Sequence, residues 1–264
     1  MVKRSSMGRG MEVLQTLAAA SGASESAWRV SGLAQSMERE RSQVARTLAQ
    51  SASSGLVEGR RRGYRISANA YAIAQALTES RLRADGLAVL ERLSRRVGEA
   101  CFLGELYGDS TVTIAEFTGK DPGAFASWIG RAYPAFTSDA GQAALWDADD
   151  DEVRAVLQDS PFGTGGPRAA TSVEEFLDRL HQARARGYSI VDEEAEAGLF
   201  SVAAPVFDFR GETVAAVQIV GERDRMAARV VQLGQACQEA ADELTSLIGG
   251  VRPESGEASE FARD

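Results

Sequence analysis

Arginine side chains cluster near the amino terminus of this 264-residue chain. Seven of them fall between residues 39 and 65, in the company of the polar Ser42 and Gln43. A guanidinium group forms paired hydrogen bonds to phosphate oxygens and to the major-groove edge of guanine, and a glutamine amide pairs similarly with adenine. These residue types, so closely spaced, favour recognition of a nucleic acid. The seven arginines are Arg39, Arg41, Arg46, Arg60, Arg61, Arg62 and Arg65.

The charge of the chain is divided unevenly, although its formal net charge of −9 would by itself argue against a polyanionic partner. Residues 1–66 contain eleven basic and five acidic side chains, a balance of +6, so the remaining 198 residues carry −15. Such an asymmetry indicates a basic nucleic-acid-binding module joined to an acidic body.

Three short helices and a hairpin are predicted to position the arginines. Apolar residues at spacings of three and four predict helices over Met11–Ala20, around Val30–Met37 and over Arg41–Ala49. Two short strands, Leu56–Glu58 and Tyr64–Ile66, then flank a glycine-bounded basic tip. This order predicts a winged helix-turn-helix, in which the third helix is the recognition helix and the hairpin is the wing.

The third helix is predicted to read base edges of double-stranded DNA. Val44 and Leu48 would face inward, and a recognition helix presents its N-terminal residues to the major groove. Arginines on the wing suit phosphates or a narrow minor groove. The predicted DNA-binding residues are therefore Arg41, Ser42, Gln43 and Arg46 on the helix, and Arg60, Arg61 and Arg62 on the wing.

The acidic body has a mixed pattern that predicts an α+β fold with an antiparallel sheet, because a central sheet covered by helices is the economical arrangement. An Ala-rich helix over Ser67–Leu82 is expected to connect the module to this body. The other predicted helices are Leu87–Val97, Ser138–Trp146, Asp151–Gln158, Val173–Arg186 and Arg229–Ile248. The predicted strands are Ala100–Tyr107, Thr111–Thr118, Ala124–Ile129, Tyr188–Asp192, Phe200–Asp208 and Thr213–Val220.

Several stretches of the chain resemble the IclR-type bacterial transcription regulators. In the basic module the resemblance is carried by Val30–Met37, Arg41–Leu48, Gly55–Val57 and Tyr64–Ile66. In the body it is carried by Gly130–Pro134, Thr137–Gly141, Gly187-Tyr188, Asp192–Glu194, Gly198 and Val202–Val206. The resemblance covers about residues 8–250. The chain departs from the family pattern at Glu38, where glycine is common, and at Glu40, where proline is frequent.

The resemblance implies a ligand-responsive regulator that binds a DNA operator as a homodimer, or as a tetramer. We expect a repressor of a catabolic or metabolic operon. The implied division is a DNA-binding domain over 1–67, a linker and dimerisation helix over 68–85, a GAF-like effector-binding domain over 86–250, and a disordered acidic tail over 251–264.

The resemblance also implies which residues hold the small-molecule effector. Ser138–Gly141 would begin a helix whose free N–H groups favour an oxygen atom of the ligand. Asp139 argues against a strongly anionic ligand there, and Phe102 joins other aromatic residues in favouring an effector with an apolar or aromatic part. The expected effector-binding residues are Trp128, Tyr133, Phe136, Ser138, Asp139, Ala140, Gly141, Val191, Ser201, Gln218 and Val220.

An enzyme and a sensor that acts through protein partners are the competing classes. The only histidine is His181, and the chain contains no nucleophile elbow and no complete phosphate-binding glycine motif. With two cysteines, Cys101 and Cys237, neither a zinc site nor a disulfide framework is expected. We therefore expect no catalytic residues, no metal, no cofactor and no membrane span, and a cytoplasmic location.

Overall fold

The computed structural model of the chain describes residues 6–19, 28–61, 63–119 and 127–253. The chain divides into two compact units, Met1–Leu77 and Thr78–Asp264. The division falls inside a single helix, Ala68–Val97. No described helix is both long and apolar enough to cross a membrane.

The first unit contains three helices followed by a two-stranded hairpin. Helices α1 (Ser6–Ala19), α2 (Val30–Ser36) and α3 (Arg41–Ser53) precede the antiparallel strands β1 (Val57–Arg60) and β2 (Gly63–Ile66). Apolar residues at spacings of three and four lie on one face of each helix, so the three helices share one small core. Its buried members are Val13, Leu17, Leu33, Ala34, Val44, Leu48 and Val57.

The helix boundaries in this unit differ in part from the prediction. Helix α1 begins at Ser6 rather than Met11, because a helix once nucleated gains a hydrogen bond for each residue that extends it. Its predicted last residue, Ala20, lies outside the described residues. Helix α3 continues to Ser53 rather than Ala49, and in its last turn the Ser53 hydroxyl donates to the carbonyl oxygen of Gln50 at 2.8 Å.

The hairpin tip is shorter than the sequence predicts. Arg60 belongs to β1 and pairs with Gly63 of β2, so it is part of a strand and not of the tip. Arg61 lies in the connecting turn, and Arg62 falls outside the described residues.

Glu38, in the turn between α2 and α3, has a left-handed backbone with φ of 50°. This conformation brings the Cβ atom close to a carbonyl oxygen and costs an L-residue about 1–2 kcal/mol. We expect Glu38→Gly to raise the free energy of unfolding of the first unit by about 0.5–1 kcal/mol, after allowing for the greater entropy of glycine in the unfolded chain. Amide exchange at the buried Leu48 measures the gain. Glu38→Ala keeps the left-handed Cβ and should show none; equal gains in both variants would contradict the strain argument.

Helix α4 (Ala68–Val97) is continuous, whereas the sequence predicted separate helices over Ser67–Leu82 and Leu87–Val97. Gly86 lies in the interval between the two predicted helices, where the low helix propensity of glycine favours a break. Its role is close packing instead, because a Cβ atom at this position would lie 2.9 Å from Cδ2 of Leu103. The low helix propensity of glycine is thus accepted where a larger side chain would collide with the sheet.

Six antiparallel strands form the sheet of the second unit, which confirms the predicted α+β class. In chain order they are β3 (Ala100–Tyr107), β4 (Ser110–Phe117), β5 (Ala132–Pro134), β6 (Ser189–Asp192), β7 (Leu199–Phe207) and β8 (Thr213–Glu222). Their spatial order is β5-β4-β3-β8-β7-β6. The sheet therefore places β3 and β8 side by side at its centre, although they are far apart in sequence.

The predicted strand Ala124–Ile129 is wrong in its described part. Residues 124–126 lie outside the described residues, and Ile129 makes only an isolated bridge to Thr113. The edge strand is β5 instead, because Tyr133 pairs with Thr111 of β4. An edge strand of three residues leaves too short an alternating pattern to be found in the sequence.

The described part of the second unit also contains five α-helices: α5 (Gly141–Ala144), α6 (Asp150–Val156), α7 (Val173–Arg186), α8 (Arg223–Met226) and α9 (Val230–Leu247). Helix α7 has the predicted bounds because its caps are local: the Ser172 hydroxyl accepts a hydrogen bond from the Glu175 amide, and Gly187 takes a left-handed conformation. Helix α5 is much shorter than the predicted Ser138–Trp146, since Ser138 lies in a preceding turn, where its amide donates to the carbonyl of Pro134.

The two faces of the sheet have different neighbours. Helices α4 and α9 cover one face, on which Leu103 of β3 and Ile219 of β8 are fully buried. Successive side chains of a strand point to opposite faces. Phe102 and Gln218 therefore lie on the other face, part of which packs against α5 through Ala140, Ala143, Ala203 and Ala216.

Candidate functional site

A cavity of about 160 Å³ opens on the face of the sheet opposite α4 and α9. Strands β3, β4 and β8 form its floor, and the segments 128–139 and 195–199 form its sides. Six of the eleven expected effector-binding residues line it. They are Trp128, Tyr133, Ser138, Asp139, Gln218 and Val220.

Gly104 makes room in this cavity for the carboxamide of Gln218. The two residues lie on the neighbouring strands β3 and β8, and a Cβ atom at position 104 would be 2.7 Å from Nε2 of Gln218. Gln218 is only 6% exposed, yet its carboxamide makes no hydrogen bond to any part of the chain that the structure describes. Buried amides are normally hydrogen-bonded. The carboxamide of Gln218, which has no such bond, is therefore available to a ligand.

Three aromatic rings form one wall of the cavity. The rings of Trp128 and Tyr133 stack with centroids 5.2 Å apart, and Phe102 lies 6.2 Å from Trp128 at an angle of 55°. The backbone amide of Trp128 donates a hydrogen bond of 2.7 Å to the carboxylate of Glu116, which ties this segment to β4. Such a wall can bind an apolar group or the positive charge of a cation.

The turn before α5 brings hydroxyl groups to the cavity, not the helix N-terminus that the sequence predicted. The Ser138 hydroxyl is hydrogen-bonded to that of Thr111 and accepts from the Ala140 amide at 3.2 Å. The amide of Gly141 donates to the Ser138 carbonyl at 3.0 Å. These amides are therefore occupied within the turn, and they do not point to a ligand oxygen.

Asp139 places a carboxylate at the cavity, and this carboxylate accepts a hydrogen bond of 2.5 Å from the Ser201 hydroxyl. Burial raises its pKa from 3.8 to about 6, the Ser201 bond opposes that rise, and the negative charge of Glu196 adds to it. Glu194, which is buried 2.6 Å from Arg179, also has a pKa raised by burial, to about 7. Asp139 and Glu196 therefore bring two carboxylates to this part of the cavity, whereas Glu194 does not line it.

The raised pKa of Asp139 predicts a pH-dependent gain from Asp139→Asn. The folded pKa of about 6 lies above the ordinary value of 3.8, so the contribution of Asp139 to the stability of the wild-type chain falls as pH rises from about 4 to 6. The amide can still accept the Ser201 hydrogen bond without a buried charge. We expect the variant to be more stable by about 2 kcal/mol at pH 8 and equal to wild type at pH 3.5. The energy is smaller than the full pKa shift would give, because Asp139 keeps partial contact with solvent. Calorimetry at both pH values tests this; a gain independent of pH would contradict it.

The other five expected effector-binding residues do not line the cavity. Phe136 packs against Phe162 in a separate core, with ring centroids 4.7 Å apart. Ser201 is fully buried beneath Asp139, and Val191 pairs with it from β6. Ala140 and Gly141 lie behind the cavity in or beside α5, because the chain turns at Ser138 and points the residues after Asp139 into the interior.

Several lining residues were missed by the sequence analysis. Thr111 and Thr113 alternate on β4 with the same orientation, a signal that the predicted strand contained. Ala195 and Glu196 lie in the segment that joins β6 to β7, where no periodicity marks a cavity, and Leu199 is the first residue of β7. The other lining residues are Ala100, Val112, Thr137, Gly221 and Glu222, with Gly104 and Phe102 described above.

The predicted DNA-binding residues of α3 are exposed. Arg41, Ser42, Gln43 and Arg46 occupy its first turns, while Val44 and Leu48 are buried on the opposite side. The Ser42 hydroxyl donates to the carboxylate of Glu40 at 2.8 Å, so one of the two departures from the family pattern engages a predicted contact residue. The remaining three side chains form a polar surface at the start of the helix.

The hairpin arginines differ in how their charge is balanced. Arg60 and Arg65 both contact the carboxylate of Glu58, Arg60 at 3.1 Å, and these contacts lower the pKa of Glu58. Arg61 is exposed in the turn. Among the described hairpin residues, Arg61 is thus the arginine whose charge is least offset.

The groups considered for catalysis have structural partners. His181 contacts Asp150 at 2.8 Å, and Asp192 is paired with Arg168 and Arg223. Cys101 and Cys237 are free and buried, and burial raises the pKa of both thiols. Within the described ranges, no group of three or more His, Cys, Asp or Glu residues could hold a metal ion.

Comparison with known proteins identifies similar chains. A family model for the C-terminal region of the bacterial transcriptional regulator IclR matches residues 74–246. The HTH-type transcriptional regulator KdgR of Escherichia coli is 35% identical over 130 residues, 49% of this chain and 49% of KdgR. The HTH-type transcriptional regulator BhcR of Paracoccus denitrificans is 27% identical over 245 residues, 90% of this chain and 85% of BhcR.

A solved structure shows the same fold over most of the chain. The crystal structure of Thermotoga maritima IclR has a TM-score of 0.60 at 20% identity, covering 92% of this chain and 98% of that one. The chain spans only part of the length of some sequence relatives, because the matched segments cover 64% of E. coli XynR and 49% of KdgR.

Proposed function

Because this chain belongs to the IclR family of bacterial transcription regulators, we propose that it is a ligand-responsive regulator that binds a specific DNA operator. The observation that carries the proposal is the presence of both units in one chain. An exposed arginine-rich helix and hairpin form the first, and a cavity with an unpartnered buried amide lies in the second. Its relatives are regulators and not enzymes, which supports a non-enzymatic role.

The first unit is proposed to be a winged helix-turn-helix. Helix α3 would enter the major groove with Arg46 and Gln43 near base edges, while Arg61 on the hairpin would contact phosphate. The compact core of α1, α2 and α3 supports this assignment, because it leaves the polar face of α3 to solvent. Two such units in a homodimer would read two half-sites; a tetramer would read more.

The second unit is proposed to hold the effector, in a GAF-like domain. The lining residues Asp139, Gln218 and Trp128 offer a carboxylate, an unpartnered amide and an aromatic face. A ligand that binds the free and DNA-bound states with different affinity shifts the equilibrium between them. Repression relieved by the effector is the mode that we propose.

Binding to DNA from the chain's own upstream region tests the proposal. Fluorescence anisotropy with a labelled duplex should show saturable binding that survives excess nonspecific competitor, and a scrambled duplex of equal composition is the control. Specific affinities are typically about a thousandfold or more above nonspecific ones at physiological salt. If the upstream duplex, duplexes from other intergenic regions and their scrambled versions all bind with equal affinity, sequence-specific regulation is contradicted.

Arg61→Ala is expected to weaken DNA binding equally for all sequences. A phosphate contact contributes to the release of counterions, so its loss should reduce the slope of log affinity against log salt by about 0.9. The measurement is a salt titration with operator and scrambled duplexes. Arg65→Ala is the matched control and should change the slope less, because Glu58 already offsets that charge. A loss confined to the operator would show that Arg61 reads a base.

A further inference from the structure

The cavity of the second unit is lined by carboxylates without a matching cation. Asp139, Glu196 and Glu222 all contribute to its walls. Within residues 6–19, 28–61, 63–119 and 127–253, no lysine, arginine or histidine lines it. A buried anionic ligand would therefore meet negative charge and find no ion-pair partner on these walls.

The three carboxylates differ in their own partners. Glu222 forms an ion pair with Arg225 at 3.0 Å, so its charge is offset. Asp139 accepts the hydroxyl of Ser201, which is a neutral donor. Glu196 has no ion pair with any described residue, and its charge raises the pKa of Asp139. Asp139 and Glu196 thus form a pair of like charges that a cation would stabilise.

Two further observations point to a ligand in the same cavity. The carboxamide of Gln218 is buried and without a partner, so it can donate to or accept from a polar group of a ligand. The stacked rings of Trp128 and Tyr133 form a wall beside the carboxylates, and an ammonium group over an indole face gains cation–π attraction. Acidic groups beside aromatic faces are the combination that recognises organic cations.

We propose that the effector is an organic cation, a protonated or quaternary amine that carries an apolar or aromatic group. Asp139 and Glu196 bind the ammonium group, the wall of Phe102, Trp128 and Tyr133 packs against the apolar part, and Gln218 binds a further polar atom. This assignment rests on the proposed function, because it names the ligand class of the same regulatory cavity. Burial of the positive charge also satisfies the carboxylate of Asp139, so the ligand relieves a cost already present in the empty protein.

Three probes of similar shape and different charge test the assignment. They are 2-phenylethylamine, which is a cation at neutral pH, the neutral 2-phenylethanol, and the anionic 3-phenylpropanoate. Calorimetric titration of the full chain at pH 7.5 should show the amine binding about tenfold or more tightly than the alcohol, and no binding of the acid. Equal or tighter binding of the alcohol or the acid, or no binding of any probe, overturns the proposal.

Variants separate the roles of the lining residues. Asp139→Asn should weaken amine binding about tenfold and leave alcohol binding unchanged, because it removes only charge. Asp242→Asn is the matched control and should alter neither, since Asp242 lies outside the cavity lining and is paired with Arg252. Lys120 lies outside the described residues, and Lys120→Gln should also alter neither. Acid binding that disappears in Lys120→Gln would overturn the proposal.

The pH dependence of amine binding gives an independent test. A probe that needs the ionised Asp139 should bind about tenfold more weakly at pH 5 than at pH 7.5, because the pKa of about 6 leaves a small ionised fraction. The groups around this carboxylate are Ser201, Glu196 and Glu194, the last paired with Arg179. The dependence should vanish in Asp139→Asn; its persistence there would remove Asp139 from the binding site.

Operator binding by the same preparation distinguishes the two proposals. If the chain binds its operator but none of the probes, the proposed regulatory function is supported and the proposed cationic ligand is overturned. If the chain binds the amine selectively but binds no DNA, the proposed ligand class is supported and the proposed regulatory function is overturned.

Discussion

Gly141→Ala is expected to lower the free energy of unfolding of the second unit by about 3–5 kcal/mol, a loss found only where a change collides with a packed interior. A Cβ atom at this position would lie 1.6 Å from the carbonyl oxygen of Ala135 and 2.7 Å from its carbonyl carbon. Both contacts are with backbone atoms, so no change of rotamer can relieve them. The start of helix α5 and the segment that follows β5 would have to separate.

Urea unfolding of the full chain measures this loss. Gly10→Ala is the matched control, because the same methyl group in α1 meets nothing within 4 Å and should stabilise that helix by up to about 1 kcal/mol. The Gly141 variant should also lose probe binding, since Ser138 and Asp139 belong to the same turn. An unfolding free energy within 1 kcal/mol of wild type would contradict the packing described for this turn.

Arg46→Ala is expected to weaken operator binding by about 5- to 150-fold, equivalent to 1–3 kcal/mol, and to relax the preference for one base pair. Arg46 is exposed on the first turns of α3, where its Nε is 3.4 Å from the carbonyl of Ser42. That weak contact leaves the guanidinium group able to reach a base edge. Its loss would act on the operator far more than on nonspecific DNA.

Anisotropy titrations with the operator and with single-base-pair variants measure both effects. Arg95→Ala is the control, since it removes the same charge from α4, where Arg95 is paired with Glu91. This variant should bind the operator as wild type does. An unchanged affinity in Arg46→Ala would show that α3 is not the recognition helix, or that Arg46 lies outside the groove.

Elements with local signals were predictable from the sequence. Helix α7 begins after a serine cap and ends at a left-handed glycine, and both signals lie within the segment itself. The central strands were also found, because their apolar residues form continuous or alternating runs. By contrast, the close contact of Gly86 could not be predicted, because its packing partner Leu103 lies on another element. The sequence around a glycine does not show whether that glycine lies in a turn or at a close contact.

The cavity was only partly predictable for a related reason. Asp139 and Gln218 were expected at the site, and both line it. Ser201 was also expected there, but it lies beneath Asp139 and donates to it, which no pattern in β7 could indicate. Glu196 was missed because it lies between two strands, where the chain has no periodicity. Alternation within a strand assigns residues to two faces without telling which face has a cavity.

Composition and periodicity, which are properties of local segments, were enough to predict the uneven division of charge, the helix and hairpin that present the arginines, and the α+β class of the acidic body. Which side chains share the cavity depends instead on the packing of elements against one another. Pairing of β3 with β8 sets Gly104 beside Gln218, and the turn before α5 sets Asp139 over Ser201. Those distances depend on strand order and packing between elements remote in sequence, and on them depends the charge of the ligand that the cavity can accept.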